Sequence, residues 1–402
     1  MRALFNKVLT QQFTAYPTTS FIAFFLVFLV SLRTSFFLQI NEYLLIGVLS
    51  LCFYLASQSK RLLNHNTSVN TATFFMLLLA AYSGQRSNLN GYFGIFILII
   101  PVLFILLLQN DFKMSLLQKL NKVVAVMVAI SLTAFVLHLL GVPLPYEAYE
   151  WKSYLFHDYH LFIITPSLFY ALERFQFVFT EPGYFGCLMV FFIFLNKYDY
   201  KKWEVWMFFF ALVFTYSLAG YIFFFLGLTP FVLYNTKSKF KYSFILVLLL
   251  GGFIYLNGSS SENFVTQMFS YRLQFENGSL SNYNRTTDSF EDWFNNSFVT
   301  SGKWLFGSNA EFERMFTGDD LVGVDLRVYI ARYGIVPLLF YFGGMIYYYM
   351  KNKSKNGLWF FIVFALFYYR GYTVMYYIGF PILYYLGIRM LSYEQEIGKR
   401  VL

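Results

Sequence analysis

The sequence predicts an all-α polytopic membrane protein with about twelve transmembrane helices, and three observations predict it. The 402 residues are 58% apolar and only 13% charged, whereas soluble domains carry about 25% charged residues. Apolar runs near the ~20-residue length of a bilayer span recur along the chain. Lysine clusters in alternate connecting segments. Mean hydropathy is +0.53. With 53 Phe and 34 Tyr, a set of soluble domains is excluded, as are disorder and a disulfide scaffold. The formal charge of +9 comes from basic residues that punctuate apolar runs. They form no basic face of the kind nucleic acid requires.

The elements follow in order. Residues 1–17 are mildly polar, with Arg2 and Lys7. The run after them lacks a small-residue cleavage site and reads as a retained first span. The expected spans are 18–37, 43–57, 71–84, 92–108, 123–141, 176–195, 204–218, 220–234, 242–256, 329–350, 358–370 and 373–389. The pairs 204–234 and 358–389 leave no room for a loop, so each is a tight hairpin. With this count, fifteen of the seventeen lysines fall on one side, leaving only Lys152 and Lys303 opposite. Positive residues accumulate in the cytoplasm, so both termini are expected there. The chain shows no internal repeat and reads as one membrane domain over 1–402. Cys52 and Cys187 both sit in apolar runs, which argues against a disulfide. The four histidines are too scattered for a zinc site.

Two outer segments are long: a smaller one at 142–175 and a large one at 257–328. Within the large loop, Thr286–Phe298 reads as an amphipathic helix, because Phe290, Trp293, Phe294 and Phe298 recur at helical spacing. Such a helix is suited to lying on a membrane surface.

Arginine does not follow lysine. Nine of thirteen lie on the outer side or at outer span ends: Arg33, Arg86, Arg174, Arg272, Arg285, Arg314, Arg327, Arg332 and Arg370. The outer side is nonetheless net acidic, so these are local arrangements and not a bulk positive field. The guanidinium fork grips phosphate oxygens with paired bonds, which points to a phosphorylated ligand at this boundary. The alternative is ion pairing: Arg285 with Asp288, Arg327 with Asp325, Arg174 with Glu173 or Glu181.

Four stretches carry the candidate chemistry. Arg174 and Glu181 frame an apolar run that enters a span through Pro182 and Gly183, and Pro is tolerated in a first helical turn. Glu181 is placed either to move a proton or to favour the helix N-terminus. Tyr216–Tyr221 supplies small residues for a close hairpin, with Tyr221 as a candidate contact. The large loop offers Tyr271-Arg272, Asn284-Arg285, Trp293 and Trp304–Gly307, aromatic planes beside polar groups that suit a sugar. Packing of the loop on the membrane explains them equally well. Finally, Arg327 and Arg332 lie where the loop returns to a span. Ligand contact and carboxylate pairing are both open there.

Taken together, FTEPGYFG at 179–186 after Arg174, SLAGY at 217–221, Asn284-Arg285, the LFG turn at 305–307 and YIARYGIVPLLFY at 329–341 resemble the bacterial O-antigen polymerases and the related O-antigen ligases. The resemblance covers about 170–345 in consistent order. It implies a GT-C-like fold in the bacterial inner membrane with the active site facing the periplasm. It further implies a glycosyltransferase needing no metal or cofactor. Its donor and acceptor would be undecaprenyl-diphosphate-linked glycans, joined into O-antigen or a related surface polysaccharide. An acceptor hydroxyl would attack the anomeric carbon of the donor. Arg174 and Arg285, with Arg272 and Arg327, would neutralise the diphosphate leaving group, and Glu181 would orient or deprotonate the acceptor. Tyr221, Trp293 and Arg332 complete the candidate substrate contacts. A chain-length regulator is a partner such a polymerase admits. The ligase branch carries a functional histidine in or after the large loop. Here His65, His138, His157 and His160 all precede it, which favours a polymerase. A ligase is one alternative. A lipid-linked oligosaccharide flippase is another, but it calls for charges deep within spans and for repeat symmetry. A metal-dependent glycosyltransferase calls for an acidic first outer loop, where only Glu42 stands.

Overall fold

The computed structural model describes residues 73, 75–77, 106–151, 154–161, 163–166, 173–179, 181–235, 275–276, 279–280, 287–316, 326–368 and 379–401. Most of these are helical. Helix α1 spans Asn110–Leu139, α2 Pro182–Leu195, α3 Trp203–Phe214 and α4 Leu218–Asn235. Then come α5 (Asp288–Trp293), α6 (Asn309–Met315), α7 (Leu326–Tyr333), α8 (Ile335–Lys351), α9 (Lys355–Tyr368) and α10 (Gly379–Val401).

Helix α2 lies at the centre, packed against α3 and α4. All fourteen of its residues are buried. Its sequence PGYFGCLMVFFIFL is apolar on every face, and an evenly apolar helix belongs in the middle of a bundle. Small residues allow the close approach. A Cβ on Gly186 would meet Thr215 Oγ1 at 3.0 Å, and one on Gly220 would meet Leu212 Cδ1 at 2.7 Å. The tight hairpin expected over 204–234 is therefore present, its turn at Thr215–Ser217. Aromatic rings fill the remaining space, among them Phe192 on Phe208, Phe194 on Phe231 and Phe191 on Phe360. Helix α1 packs on α3 and α10, and α9 on α4 and α10.

Helix α1 runs antiparallel to α2. Asn196, just past α2, donates from Nδ2 to Asn121 Oδ1 at 2.6 Å, while Phe135 meets Phe175, just before α2, at 5.2 Å. From Asn121 to His138 the helix rises about 26 Å, close to the ~30 Å of a hydrocarbon core. Among the described residues, Phe112–Leu139 is the one single helix long and apolar enough to cross a membrane. The pair α7–α8 passes the same test jointly. These helices favour membrane association. The expected spans at 18–37, 43–57 and 242–256 lie outside the described residues, as does the turn of the expected 358–389 hairpin, and the spans at 71–84, 92–108, 358–370 and 373–389 are described only in part.

Three expectations are corrected. The lysines at 113, 119 and 122 do not sit in a loop, because α1 begins at Asn110. Phe112, Leu116, Leu117, Leu120 and Val124 recur at helical spacing and are buried, which carries the helix through the charged positions. The run 329–350 is not one straight span, since α7 and α8 meet at 112°. Gly334, at φ 83°, makes the break. The segment 142–175 is not loop throughout: β1 (Glu147–Trp151), β2 (Tyr154–Asp158) and β3 (Ile164–Pro166) form an antiparallel sheet in the order β1-β2-β3. Glu147 pairs with Asp158 and Trp151 with Tyr154, a tight hairpin register.

The amphipathic helix expected over 286–298 is found as α5, capped by Thr287 Oγ1 accepting from the Phe290 amide, and continued by a π-helical turn at Phe294–Phe298. Its apolar side faces protein. Phe290, Trp293, Phe294 and Phe298 join Phe312 of α6 and Val328 and Ala331 of α7 in a small core.

Candidate functional site

One end of the bundle gathers the end of α1, the segment 173–179 and the α3–α4 turn. The backbone amide of Phe175 donates to the Phe214 carbonyl at 2.9 Å, which ties the segment to the turn. Beside it, Arg174 Nε donates to the Thr215 carbonyl at 2.9 Å and one terminal nitrogen to the Tyr216 carbonyl at 3.4 Å. The two motifs at 174–186 and 216–221, separate in sequence, therefore meet through this arginine. Two non-glycine residues here hold left-handed backbone, Phe177 at φ 57° and Tyr216 at φ 47°. Such residues cost on the order of 1–2 kcal/mol each, and they aim the Tyr216 carbonyl and fold the segment over α2. Thr215 Oγ1 accepts from the Ser217 amide, and Ser217 Oγ from the Gly220 amide. These bonds lock the turn.

Glu181 precedes α2 at its N-terminus with extended backbone, and its side chain makes no capping bond to the helix. It is half-buried. At the same end of the bundle, Glu173 Oε2 accepts from His138 Nε2 at 2.6 Å. His138 lies in the last turn of α1, with its ring 5.0 Å from that of Tyr159. Burial raises the Tyr159 hydroxyl above its ordinary pKa, opposed by a hydrogen bond to Thr165 and aided by the Glu173 charge. Gln176 is buried, and its Nε2 has no hydrogen-bond partner among the described residues.

Arg327, Arg332 and Trp293 belong to the small core of the large loop and α7. Arg327 donates to Glu291 Oε1 of α5 at 3.1 Å. Arg332 contacts Glu313 at 3.3 Å and lies 4.4 Å over the Phe312 ring. Both arginines thus pair with carboxylates from the loop's own helices, and the named alternative, Asp325, lies outside the described residues. Trp293 is buried with its ring against Phe298, Phe312 and Phe316. The Tyr221 hydroxyl donates to the Val213 carbonyl at 2.7 Å and braces the hairpin. Arg272 and Arg285 lie outside the described residues.

The sequence reading missed His138, Glu173 as its partner, and Gln176. Only a histidine at the end of an apolar run was visible. Among the described residues, no three His, Cys, Asp or Glu side chains lie close enough to share a metal ion. Consecutive residues thus hold a guanidinium on two carbonyls and a carboxylate on an imidazole, groups able to face an anion and to accept a proton. No family model, curated protein or solved structure matches the chain.

Proposed function

We propose that this chain is a multi-pass membrane glycosyltransferase that polymerises undecaprenyl-diphosphate-linked repeat units into O-antigen or a related surface polysaccharide. The observation that supports the reading most is the contact of Arg174 with the Thr215 and Tyr216 carbonyls. It brings together two of the motifs that carry the resemblance to O-antigen polymerases. Two carbonyl acceptors fix the fork where a diphosphate leaving group would gather negative charge, and a preorganised cation stabilises that charge with no reorganisation.

In this reading the chain is a single domain in the bacterial inner membrane, with about twelve spans in a GT-C-like arrangement and both termini cytoplasmic. The outer segments 142–175 and 257–328 face the periplasm. The acceptor is a second lipid-linked unit, and a chain-length regulator is an expected partner. The cationic clamp in this reading is Arg174 and Arg285 with Arg272 or Arg327, while Arg327 and Arg332 also pair with loop carboxylates.

The test replaces Arg174 by alanine and by lysine in the host cell. Surface glycan is expected to shrink to a single repeat in Arg174→Ala with the protein still inserted, and to shorten strongly in Arg174→Lys, which keeps charge but loses the fork. Long chains in both variants would refute the reading. Glycan missing from the surface altogether would indicate a flippase. Full-length chains left unattached to the lipid core would indicate a ligase.

A further inference from the structure

We infer that His138, at the end of the bundle where α1, the segment before α2 and the α3–α4 turn meet, is the catalytic base and Glu173 its positioning residue, an inference that rests on the glycosyl-transfer reading above. Three consecutive residues carry the argument. Glu173 reaches His138 of α1 at 2.6 Å. Arg174 turns the other way, to the α3–α4 turn. Phe175 returns to α1 and packs on Phe135 at 5.2 Å, about one turn before His138. The same short segment thus fixes the imidazole and the guanidinium relative to each other.

A carboxylate bound to one ring nitrogen fixes the tautomer and the ring's orientation, leaving the other nitrogen as a proton acceptor. Here Nε2 carries the hydrogen toward Glu173, so Nδ1 accepts. The pair is neither sealed nor fully exposed: the side chains of His138 and Glu173 are 21% and 32% accessible. A general base of this kind requires such access.

The reaction balances as follows. A lone pair on the acceptor hydroxyl oxygen forms the new bond to the anomeric carbon of the donor. The bond from that carbon to the diphosphate oxygen breaks, and its electron pair leaves on the lipid diphosphate beside Arg174. The hydroxyl proton passes to Nδ1 of His138, and the imidazolium so formed is stabilised by Glu173. Loss of that proton to water restores the neutral ring. Tyr159, from the connection between β2 and β3, faces the His138 ring, with Tyr146 and His157 behind it at 5.6 and 6.4 Å from Tyr159. Arg174 adjoins Glu173 in the chain.

The experiment uses the purified full-length chain in nanodiscs. The probe is undecaprenyl-diphosphate-linked repeat units extracted from host cells lacking this chain. Initial elongation rates are measured across pH for the parent, His138→Gln and Glu173→Gln, with donor binding measured by retention on the immobilised protein. His138→Gln is expected to bind donor but to elongate on the order of 10²-fold more slowly or worse, and to lose the acid limb of the rate–pH profile. Glu173→Gln keeps the shape of the partner and is expected to move that limb. It also decides the matter should His138→Gln insert poorly, because a merely structural contact leaves the pH profile in place. Elongation by His138→Gln within about threefold of the parent, or an unmoved limb in Glu173→Gln, would overturn the assignment while leaving the polymerase reading intact. A parent that elongates nothing would overturn both.

Discussion

Gly307 and Gly334 interlock backbone to backbone. A Cβ on Gly307 would lie 2.4 Å from the Arg332 carbonyl oxygen, and one on Gly334 would lie 2.3 Å from that of Leu305. Both have positive φ, at 72° and 83°. The Ser308 amide closes the contact on the Ala331 carbonyl at 2.8 Å. The turn after Lys303–Leu305 is therefore pressed into the break between α7 and α8, and it holds the loop core against the bent pair.

That geometry separates three glycines. Gly302 has the same φ of 72° but nothing within 4 Å of a would-be Cβ. Gly302→Ala is expected to cost about 1 kcal/mol, the strain of left-handed backbone alone. Gly307→Ala and Gly334→Ala meet backbone as well and are expected to release the loop. Limited proteolysis of 287–316 in detergent reads the difference. Equal protection in all three variants would show that the interlock does not hold the loop.

Trp293 tests the loop core directly. Its ring is enclosed by Phe290, Phe298, Phe312 and Phe316, so Trp293→Ala is expected to cost about 3–5 kcal/mol. Trp293→Phe is expected to be far milder. If instead both variants melt like the parent and lose glycan elongation, the ring contacts substrate and packing is not its role.

The pair Arg327–Glu291 predicts a rescue by exchange. Both side chains are partly exposed, so the bond is worth only about 0–1 kcal/mol. Arg327→Glu alone places two carboxylates together and is expected to lower the melting temperature. The double variant Arg327→Glu/Glu291→Arg is expected to restore it. A double variant no better than the single one would dissociate the two residues.

Acid should loosen the turn at 303–311. Lys303 Nζ donates to Glu311 Oε2 at 2.6 Å, and Ser308 Oγ lies 3.0 Å from the same oxygen. The Lys303 hydrogen bond is the largest cause holding the Glu311 carboxyl below its ordinary value. A depressed folded value means that this stability is present above the unfolded carboxylate pKa and is lost as pH falls through the folded one. Melting followed from pH 7 into the acid range is expected to show a shallower acid loss in Glu311→Gln. An unchanged acid slope would remove Glu311 from the account.

The elements legible in the sequence are those whose signal is local. The evenly apolar run 182–195 marks a central helix, the small residues 217–220 mark a close hairpin, and the spacing of Phe290, Trp293 and Phe298 marks α5. The start of α1 was hidden because its lysines resemble a loop, although Lys113 is buried with its ammonium on the Leu106 carbonyl at 2.7 Å. The break at Gly334 was passed over although Arg332, Gly334 and Pro337 mark it, because the run around them is still long enough to read as one span. The pairs His138–Glu173 and Arg327–Glu291 join residues 35 and 36 positions apart. Only the packing of helices from different parts of the chain decides such partners.

The full enclosure of α2 gives the protein a built-in gauge of its own breathing. Cys187 sits midway along that helix and is buried, so a maleimide reaches its sulfur only when neighbouring helices part. In a Cys52→Ser background, the alkylation rate would time that parting, and a bound lipid-linked glycan that clamps the bundle would slow it.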